Sequence, residues 1–308
     1  MPAPDARATL IINPTAGRGR CARALPRIRR VLSNKGVDAT YLFTGARGDA
    51  ERLANESLAS GASLVVAVGG DGTLHEVANA LLKAVQSKAT LGLIPFGTGN
   101  DFARAVGLFG SVETACIALV NGKRTPIDVG TIEGRGIENP YYFLVAAGVG
   151  FVAETAKTVN EGIRWLHGAP AYIYGALQTL RRFDPISLTI TIDDKEPEAL
   201  DAMLISVSNV ATTGGGMRIA PDARPDDGLL DICLVEKIGK MALVGQLPGV
   251  FAGKHVRHPA VRMMTARTVR IETESPKILW IDGEVIGTTP ATFKILAGAL
   301  PIMLLGKP

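Results

Sequence analysis

Gly69-Gly70-Asp71-Gly72-Thr73 follows the apolar run Leu64–Val68 directly and precedes a helical stripe directly. Three glycines let the main chain turn tightly and bring its N–H groups close to an anion. The helix that follows adds the positive end of its dipole, so the chemistry this spacing suits is phosphate binding. Thr73-Leu74-His75-Glu76 also spells a capping box, S/T-x-x-E. A plain, well-capped strand-to-helix turn would therefore explain Thr73 and Glu76. It would not explain three glycines and an acid together. A second loop, Gly97-Thr98-Gly99-Asn100-Asp101, follows the run LGLIPF. Asn100 or Asp101 suits a helix cap there. If both runs are strands of one parallel sheet, the loop tips converge on one crevice. Two loops that each carry Gly, Thr and Asp suit a nucleoside triphosphate with Mg²⁺. Main-chain N–H groups would hold phosphate oxygens, while Asp71 and Asp101 would reach the metal or its waters.

The remaining chemistry-bearing residues each carry two readings. In Asn13-Pro14-Thr15-Ala16-Gly17-Arg18-Gly19-Arg20, the residues Gly17, Gly19 and Ala22 match G-x-G-x-x-A, and Asp38 lies where an acid is expected. The glycines start several residues after the strand, however, and no GK[ST] follows, so neither a dinucleotide fingerprint nor a Walker A loop fits. Arg18 and Arg20 are either forked phosphate donors or a solvated basic loop. Asp282-Gly283 is a favoured hairpin turn, and Glu284 beside it is either a general base or only part of that hairpin. Asp226 and Asp227 are either cation ligands or a solvated acidic turn. His255 and His258 form an HxxH pair next to Lys254 and Arg257, which repel a cation, so a solvated loop or helix face is expected. His75 reads as a helix-surface residue. The aromatic stretch from Trp165 to Tyr174 reads as core, with lipid contact as the sharper alternative.

Positioning these residues requires two kinds of architecture. The first 130 or so residues alternate strand and helix: strands at Ala8–Ile12, Ala39–Phe43, Leu64–Val68 and Leu91–Pro95, with helices between, the third over 73–85. That alternation predicts a parallel sheet with active loops at the strands' carboxyl ends. From about Thr125 the runs are short and bounded by turn residues, for example Ile186–Ile192, Ala202–Val207, Leu230–Val235, Val269–Thr273 and Ile278–Ile281. An all-β sandwich with one helical insert, around Trp165 to Leu180, is expected.

Composition limits the remaining choices. The chain has 308 residues, 47% hydrophobic and 20% charged, which is globular rather than disordered. The length favours two domains. A net charge of +4 suits an anionic ligand or surface and is too small to argue for nucleic-acid binding. Cys21, Cys116 and Cys233 lie far apart and no CxxC occurs, so neither a disulfide framework nor a cysteine zinc site is expected, and a cytoplasmic location is. The N-terminus shows no signal-peptide pattern, and no apolar run reaches about 18 residues. A mean hydropathy of +0.22 is high for such a chain and leaves room for lipid contact.

INPTAGRGR, VAVGGDGTLHEVANAL, PFGTGNDFARAVG, AAGVGFVAE, SNVATTGGGMRIAPDARPDDGLLDI and WIDGEVI occur in this order along nearly the whole chain. In that order the chain resembles the bacterial diacylglycerol kinase-type lipid kinases, a group that includes diacylglycerol, phosphatidylglycerol-type and sphingoid-type kinases. GGDGT alone is shared with NAD kinases; GTGNDFAR, the APDA–DDGLLD block and DGE are more specific. The resemblance implies an ATP- and Mg²⁺-dependent phosphotransferase acting on a lipid hydroxyl, most simply a diacylglycerol-like one. It implies an NAD-kinase-like α/β domain over residues 1–130, joined by 291–308, and a β-sandwich substrate domain over 131–290, with the active cleft between them. It places Asn13, Pro14, Thr15, Ala16, Gly17, Thr44, Gly69, Gly70, Gly72, Thr73, Leu74, His75, Glu76, Gly97, Thr98 and Asn100 at the nucleotide. Asp71 and Asp101 would organise the catalytic Mg²⁺, and Glu284 would be the base. A structural Mg²⁺ would be held by Asp227 with the backbone of Arg224 and Leu229. Ala16 departs from the serine of many relatives, and His75 from their usual asparagine. A lipid substrate at a membrane surface is the implied partner, with peripheral contact and a homodimer left open. An NAD-kinase-like enzyme and a nucleotide- or lipid-binding protein without turnover are the alternatives.

Overall fold

The computed structural model describes residues 8–84, 86–138, 140–162 and 169–306. The chain divides into two units. One runs to Ile127 and takes up the chain again at Gly298; the other spans Asp128–Ala297.

In the first unit the order is β1 (Ala8–Ile12), α1 (Ala16–Asn34), β2 (Ala39–Phe43), α2 (Asp49–Ala59), β3 (Leu64–Gly69), α3 (Asp71–Lys83), β4 (Thr90–Pro95), α4 (Asp101–Ala105) and α5 (Val112–Asn121). β2, β1, β3 and β4 pair side by side, all parallel, with Ile12 opposite Val68 and Val68 opposite Ile94. β1 and the inner part of β3 are buried on both faces, which is why their sequences are unbroken apolar runs. Ile28 and Leu32 of α1 and Ala115, Cys116 and Leu119 of α5 close one face over Leu10, Val66 and Ile94. A methyl group added at Gly92 would lie 2.5 Å from a Leu119 methyl, so α5 needs a glycine there to sit close to β4. Truncating a side chain buried like Leu32 to alanine costs ~2–5 kcal/mol.

β5 (Lys123–Arg135) leads out of the first unit. The second continues with β6 (Tyr141–Phe143), β7 (Ala146–Gly150), α6 (Phe151–Gly162), α7 (Ala169–Leu180), β8 (Ile186–Ile192), β9 (Glu198–Ser208), β10 (Leu230–Glu236), α8 (Lys240–Phe251), a 3-10 turn (Lys254–Arg257), β11 (Val261–Ala266), β12 (Thr268–Thr273) and β13 (Ile278–Ile281). β14 (Glu284–Leu304) begins here and returns to the first unit, where Ile302 pairs with Leu91 of β4. The strands within the second unit pair antiparallel. β9 changes partner along its length, from β8 at 198–202 to β7 at 204–208, and β14 does the same from β13 to β12. Their inward residues, including Ile205, Val207, Ile232, Leu279 and Phe293, form one core.

Among the described residues the second unit carries three α-helices rather than one insert. α6 follows the left-handed turn at Gly150 (φ 86°), and α8 contains two glycines and Pro248, so its sequence reads as loop although tertiary packing makes it helix. Trp165 lies outside the described residues. α7 places Ile173, Tyr174 and Leu177 partly exposed, so this part of the aromatic stretch is not core.

Candidate nucleotide and base site

In the first unit four loops leave parallel strands at the same ends and are stitched together by main-chain bonds. Asn13 N donates to Val68 O (2.9 Å), Thr44 N to Ile12 O (2.9 Å) and Phe96 N to Gly69 O (2.6 Å). The two glycine loops touch: a Cβ at Gly97 would lie 2.6 Å from the Gly70 Cα. Both positions must therefore lack a side chain for the loops to close on each other. Gly97 N donates to Asn100 Oδ1 (2.8 Å) and Asn100 Nδ2 to Gly97 O (2.9 Å), which fixes the exposed Thr98 in a closed turn. Asn100 holds the left-handed conformation (φ 51°) just before α4.

The third loop is drawn into the same place. Asn13 Nδ2 donates to Thr73 Oγ1 (3.3 Å), while Asn13 Oδ1 accepts from Thr15 N and Thr15 Oγ1. Gly17, Arg18 and Gly19 are all left-handed, bending the start of α1 beside Ala16. A side chain at Gly17 would run into the Phe96 carbonyl. Asp71 Oδ1 accepts from Phe102 N (3.4 Å), so the Asp71 carboxylate reaches the start of α4, next to the buried Asp101.

The expected capping box does not form. The N-cap of α3 is Gly70, no side chain caps it, and Thr73 and Leu74 already lie inside the helix. The helix starts three residues earlier than the S/T-x-x-E pattern implies, because the glycine turn itself leads into it. The first turn of the helix thus sets the positive end of its dipole directly behind the glycine turn. Glu76 instead accepts from Gly48 N (3.1 Å) and Ala50 N (3.0 Å), capping α2. His75 is not on the surface: it is 8% exposed, and its ring lies 3.3 Å from Asn79 Nδ2.

In the second unit Glu284 pairs with Ile281 across a two-residue turn. Asp282 (φ 47°) and Gly283 (φ 96°) both take the positive φ that such a turn requires. The Asp282 carboxylate also accepts from the N–H groups of Leu144, Val145 and Ala146 at 2.8–3.0 Å, and Asn160 Nδ2 donates to Gly283 O. The half-buried Glu284 thus stands on a turn anchored from three sides.

The acidic segment is held by a residue the sequence patterns did not single out. Asp128, buried in β5, accepts from Gly228 N (2.6 Å) through Oδ2 and donates its own N–H to Pro225 O. Buried Asn209 Nδ2 donates to the carbonyls of Asp128 and Leu144. An acid inside the apolar run IDVG was the available signal for Asp128. Asp227 Oδ1 accepts from Leu229 N (3.1 Å), and Arg224 pairs with Asp226. Burial first, then the neighbouring Asp227 and Asp222, pushes the Asp231 carboxyl up to about 6. Among the described residues no group of three or more His, Cys, Asp or Glu side chains is arranged to hold a metal. His255 is 4% exposed, with Nε2 3.1 Å from the Ile219 carbonyl, so this half of the HxxH pair is packed inside rather than solvated. The apolar wall of its pocket, not the flanking Lys254 and Arg257, decides its environment.

The chain matches the family model of the diacylglycerol kinase catalytic domain over residues 7–132 and that of the YegS C-terminal NAD kinase beta sandwich-like domain over 144–304. It is 32% identical to a diacylglycerol kinase of Mycobacterium tuberculosis (strain ATCC 25618 / H37Rv) over 96% of this chain and 94% of the relative. It is 30% identical to a diacylglycerol kinase of Bacillus subtilis (strain 168) over 93% and 92%. A crystal structure of a diacylglycerol kinase from Bacillus anthracis str. Sterne superposes with a TM-score of 0.75 at 27% identity, covering 98% of this chain and 97% of that one.

Proposed function

Because this chain belongs to the diacylglycerol kinase family and is a lipid kinase, we propose that it transfers the γ-phosphate of ATP to the free hydroxyl of a diacylglycerol-like lipid. The closure of Gly70 against Gly97, in front of the uncapped start of α3, carries this reading. Main-chain N–H groups of Gly70, Gly72 and Thr73, with that of Thr98, bind the phosphates, while Gly97, whose N–H is held by Asn100 Oδ1, lets the two loops close. Asn13 to Gly17, Thr44, Leu74, His75 and Glu76 shape the rest of the nucleotide site. Ala16 offers no hydroxyl there.

Asp71 and Asp101 suit Mg²⁺, which binds through one or two carboxylates plus substrate phosphates. Bound there, the ion would neutralise charge on the phosphates. Asp227 with the carbonyls of Arg224 and Leu229 would hold a second, structural Mg²⁺, an oxygen set of the right hardness.

Glu284 accepts the proton of the lipid hydroxyl as that oxygen bonds to the γ-phosphorus. The bond from phosphorus to the bridging oxygen breaks, and ADP leaves with the electron pair. Positioning and charge neutralisation supply most of the rate. The lipid is collected from a membrane surface by peripheral contact; no helix among the described residues is long and apolar enough to cross a membrane.

Radiolabelled ATP, supplied with Mg²⁺ and a panel of dispersed diacylglycerol, phosphatidylglycerol, ceramide, sphingoid base and, separately, NAD, tests this. Label in the diacylglycerol product is expected. Label in NAD alone, or in nothing, overturns it.

A further inference from the structure

The second unit carries a polar depression of about 680 Å³ between α6, the end of α7 and the start of β13. That volume is in the range of small-molecule sites, about 300–1,000 Å³. Arg181, Arg182 and Lys277 line it, together with Glu154, Thr158 and Asp184. Neither guanidinium, nor the Lys277 ammonium, makes a hydrogen bond or an ion pair among the described residues.

Arginines at the end of a helix often fold back onto its last carbonyls. The carbonyls that end α7 are already served. Thr179 O accepts from Arg182 N and Phe183 N, both at 3.0 Å, and Arg181 O accepts from Lys240 Nζ at 3.4 Å. The two guanidiniums therefore have no capping role, and they stand at a concave surface instead.

The charge there is unbalanced. Asp184 is met by Lys240 at 3.6 Å, while the half-buried Glu154 forms no ion pair among the described residues. Counting Lys240, four cations face two acids, an excess of two positive charges. A phosphate monoester carries about −1.5 to −2 at pH 7 and offers three acceptor oxygens, which guanidinium groups hold in pairs. Thr158, Gln178 and Thr179 add hydroxyl and amide groups to the lining, which suits a ligand body with hydroxyls rather than hydrocarbon.

The geometry points to this depression as a binding site for a phosphate monoester on a small polar body of glycerol size. That chemistry occurs on a soluble ester and on a lipid headgroup alike. The site goes beyond the kinase reading and does not rest on it, because the nucleotide loops belong to the other unit.

Isothermal titration calorimetry of the full-length chain, at fixed ionic strength, tests it. One arm compares sn-glycerol 3-phosphate with glycerol. The other compares detergent micelles carrying phosphatidate with micelles carrying diacylglycerol. Saturable binding is expected for a phosphate ester and not for its dephosphorylated counterpart. Saturation by sn-glycerol 3-phosphate supports a soluble ester as occupant; saturation by phosphatidate alone supports a lipid headgroup. Arg181→Gln and Lys277→Gln should each weaken that binding about tenfold or more, the loss of one charge-assisted hydrogen bond. Lys195→Gln removes the same charge from the exposed turn between β8 and β9 and should leave the affinity near that of the parent. Gly97→Ala, which disturbs the nucleotide loops, should leave it unchanged as well. The site is overturned if no phosphate ester saturates the chain, or if Arg181→Gln and Lys277→Gln bind like the parent. An equal loss in Lys195→Gln overturns it too, since it reports only overall charge. A loss confined to Gly97→Ala assigns the ester to the nucleotide loops and likewise removes this site.

Discussion

Asp282 and Ala146 are joined twice: Asp282 N donates to Ala146 O at 2.9 Å, and Ala146 N donates back to Asp282 Oδ1 at 3.0 Å. The same carboxylate takes the amides of Leu144 and Val145, so the turn before Glu284 is fixed to the start of β7. Asp282→Asn replaces one acceptor oxygen with a donor that faces an N–H. A bond to a charged acceptor is worth about 1.5–3 kcal/mol, and a loss of stability in that range is expected by urea unfolding. Turnover falls as Glu284 loses its fixed position, while the KM for ATP stays near that of the parent protein.

Glu284→Gln keeps the shape of the hairpin and removes the base. Turnover on diacylglycerol is expected to fall by about 10²–10⁴-fold, with nucleotide affinity and thermal midpoint unchanged. Turnover near the parent value would take Glu284 out of the reaction.

Gly97→Ala forces the two glycine loops apart, because the new methyl meets the Gly70 Cα. A displacement of about 1 Å in a positioned site can cost ~10²-fold, so kcat/KM for ATP should drop by about that factor. Gly72 offers the contrast, since a methyl added there meets no atom of the described residues. Gly72→Ala should retain or slightly raise the thermal midpoint. Any loss of ATP affinity in that variant would then report the bound phosphate itself, and calorimetry of ATP binding separates the two effects.

Asp71→Asn removes a carboxylate that reaches the start of α4. The Mg²⁺ concentration for half-maximal activity should rise, and circular dichroism should remain that of the parent. An unchanged Mg²⁺ titration with full turnover would exclude Asp71 from the metal.

His255 gives stability a pH dependence. Burial holds its imidazole below the ordinary value, against the opposing hydrogen bond to Ile219. The unfolded chain, titrating near ~6.5, therefore takes up the proton first as pH falls. His255 contributes fully above that value, and its contribution is lost as pH drops through the folded-state value. The thermal midpoint should decline on acidification below about 6.5, and less steeply in His255→Gln.

Strand periodicity and glycine punctuation made much of the fold legible. Ala8–Ile12, Ala39–Phe43, Ile186–Ile192 and Ile278–Ile281 are strands where the runs of apolar and β-branched residues predict them, because turn residues bound most of these runs. α8 was not legible: Gly245, Pro248 and Gly249 oppose helix locally, and packing overrides them. The glycine loops could be read as phosphate-binding turns, yet their mutual contact could not, since it depends on the spacing of β3 and β4. Thr73 and Glu76 misled because two correct local signals, a threonine and a glutamate three apart, serve different elements. His255 was misread for a related reason. Its charged neighbours in sequence are not its neighbours in space. The anchoring done by Asp128, Asn209 and the Asp282 carboxylate arises from partners far along the chain, which no window of sequence contains.

The long strand β14 starts with Glu284 and finishes beside β4. The first unit is thus not encoded by one uninterrupted stretch. A fragment ending at Ile127 would bare the edge of β4, an invitation to self-association. Splitting the enzyme for separate study therefore calls for grafting 298–306 onto that fragment, not for a single cut.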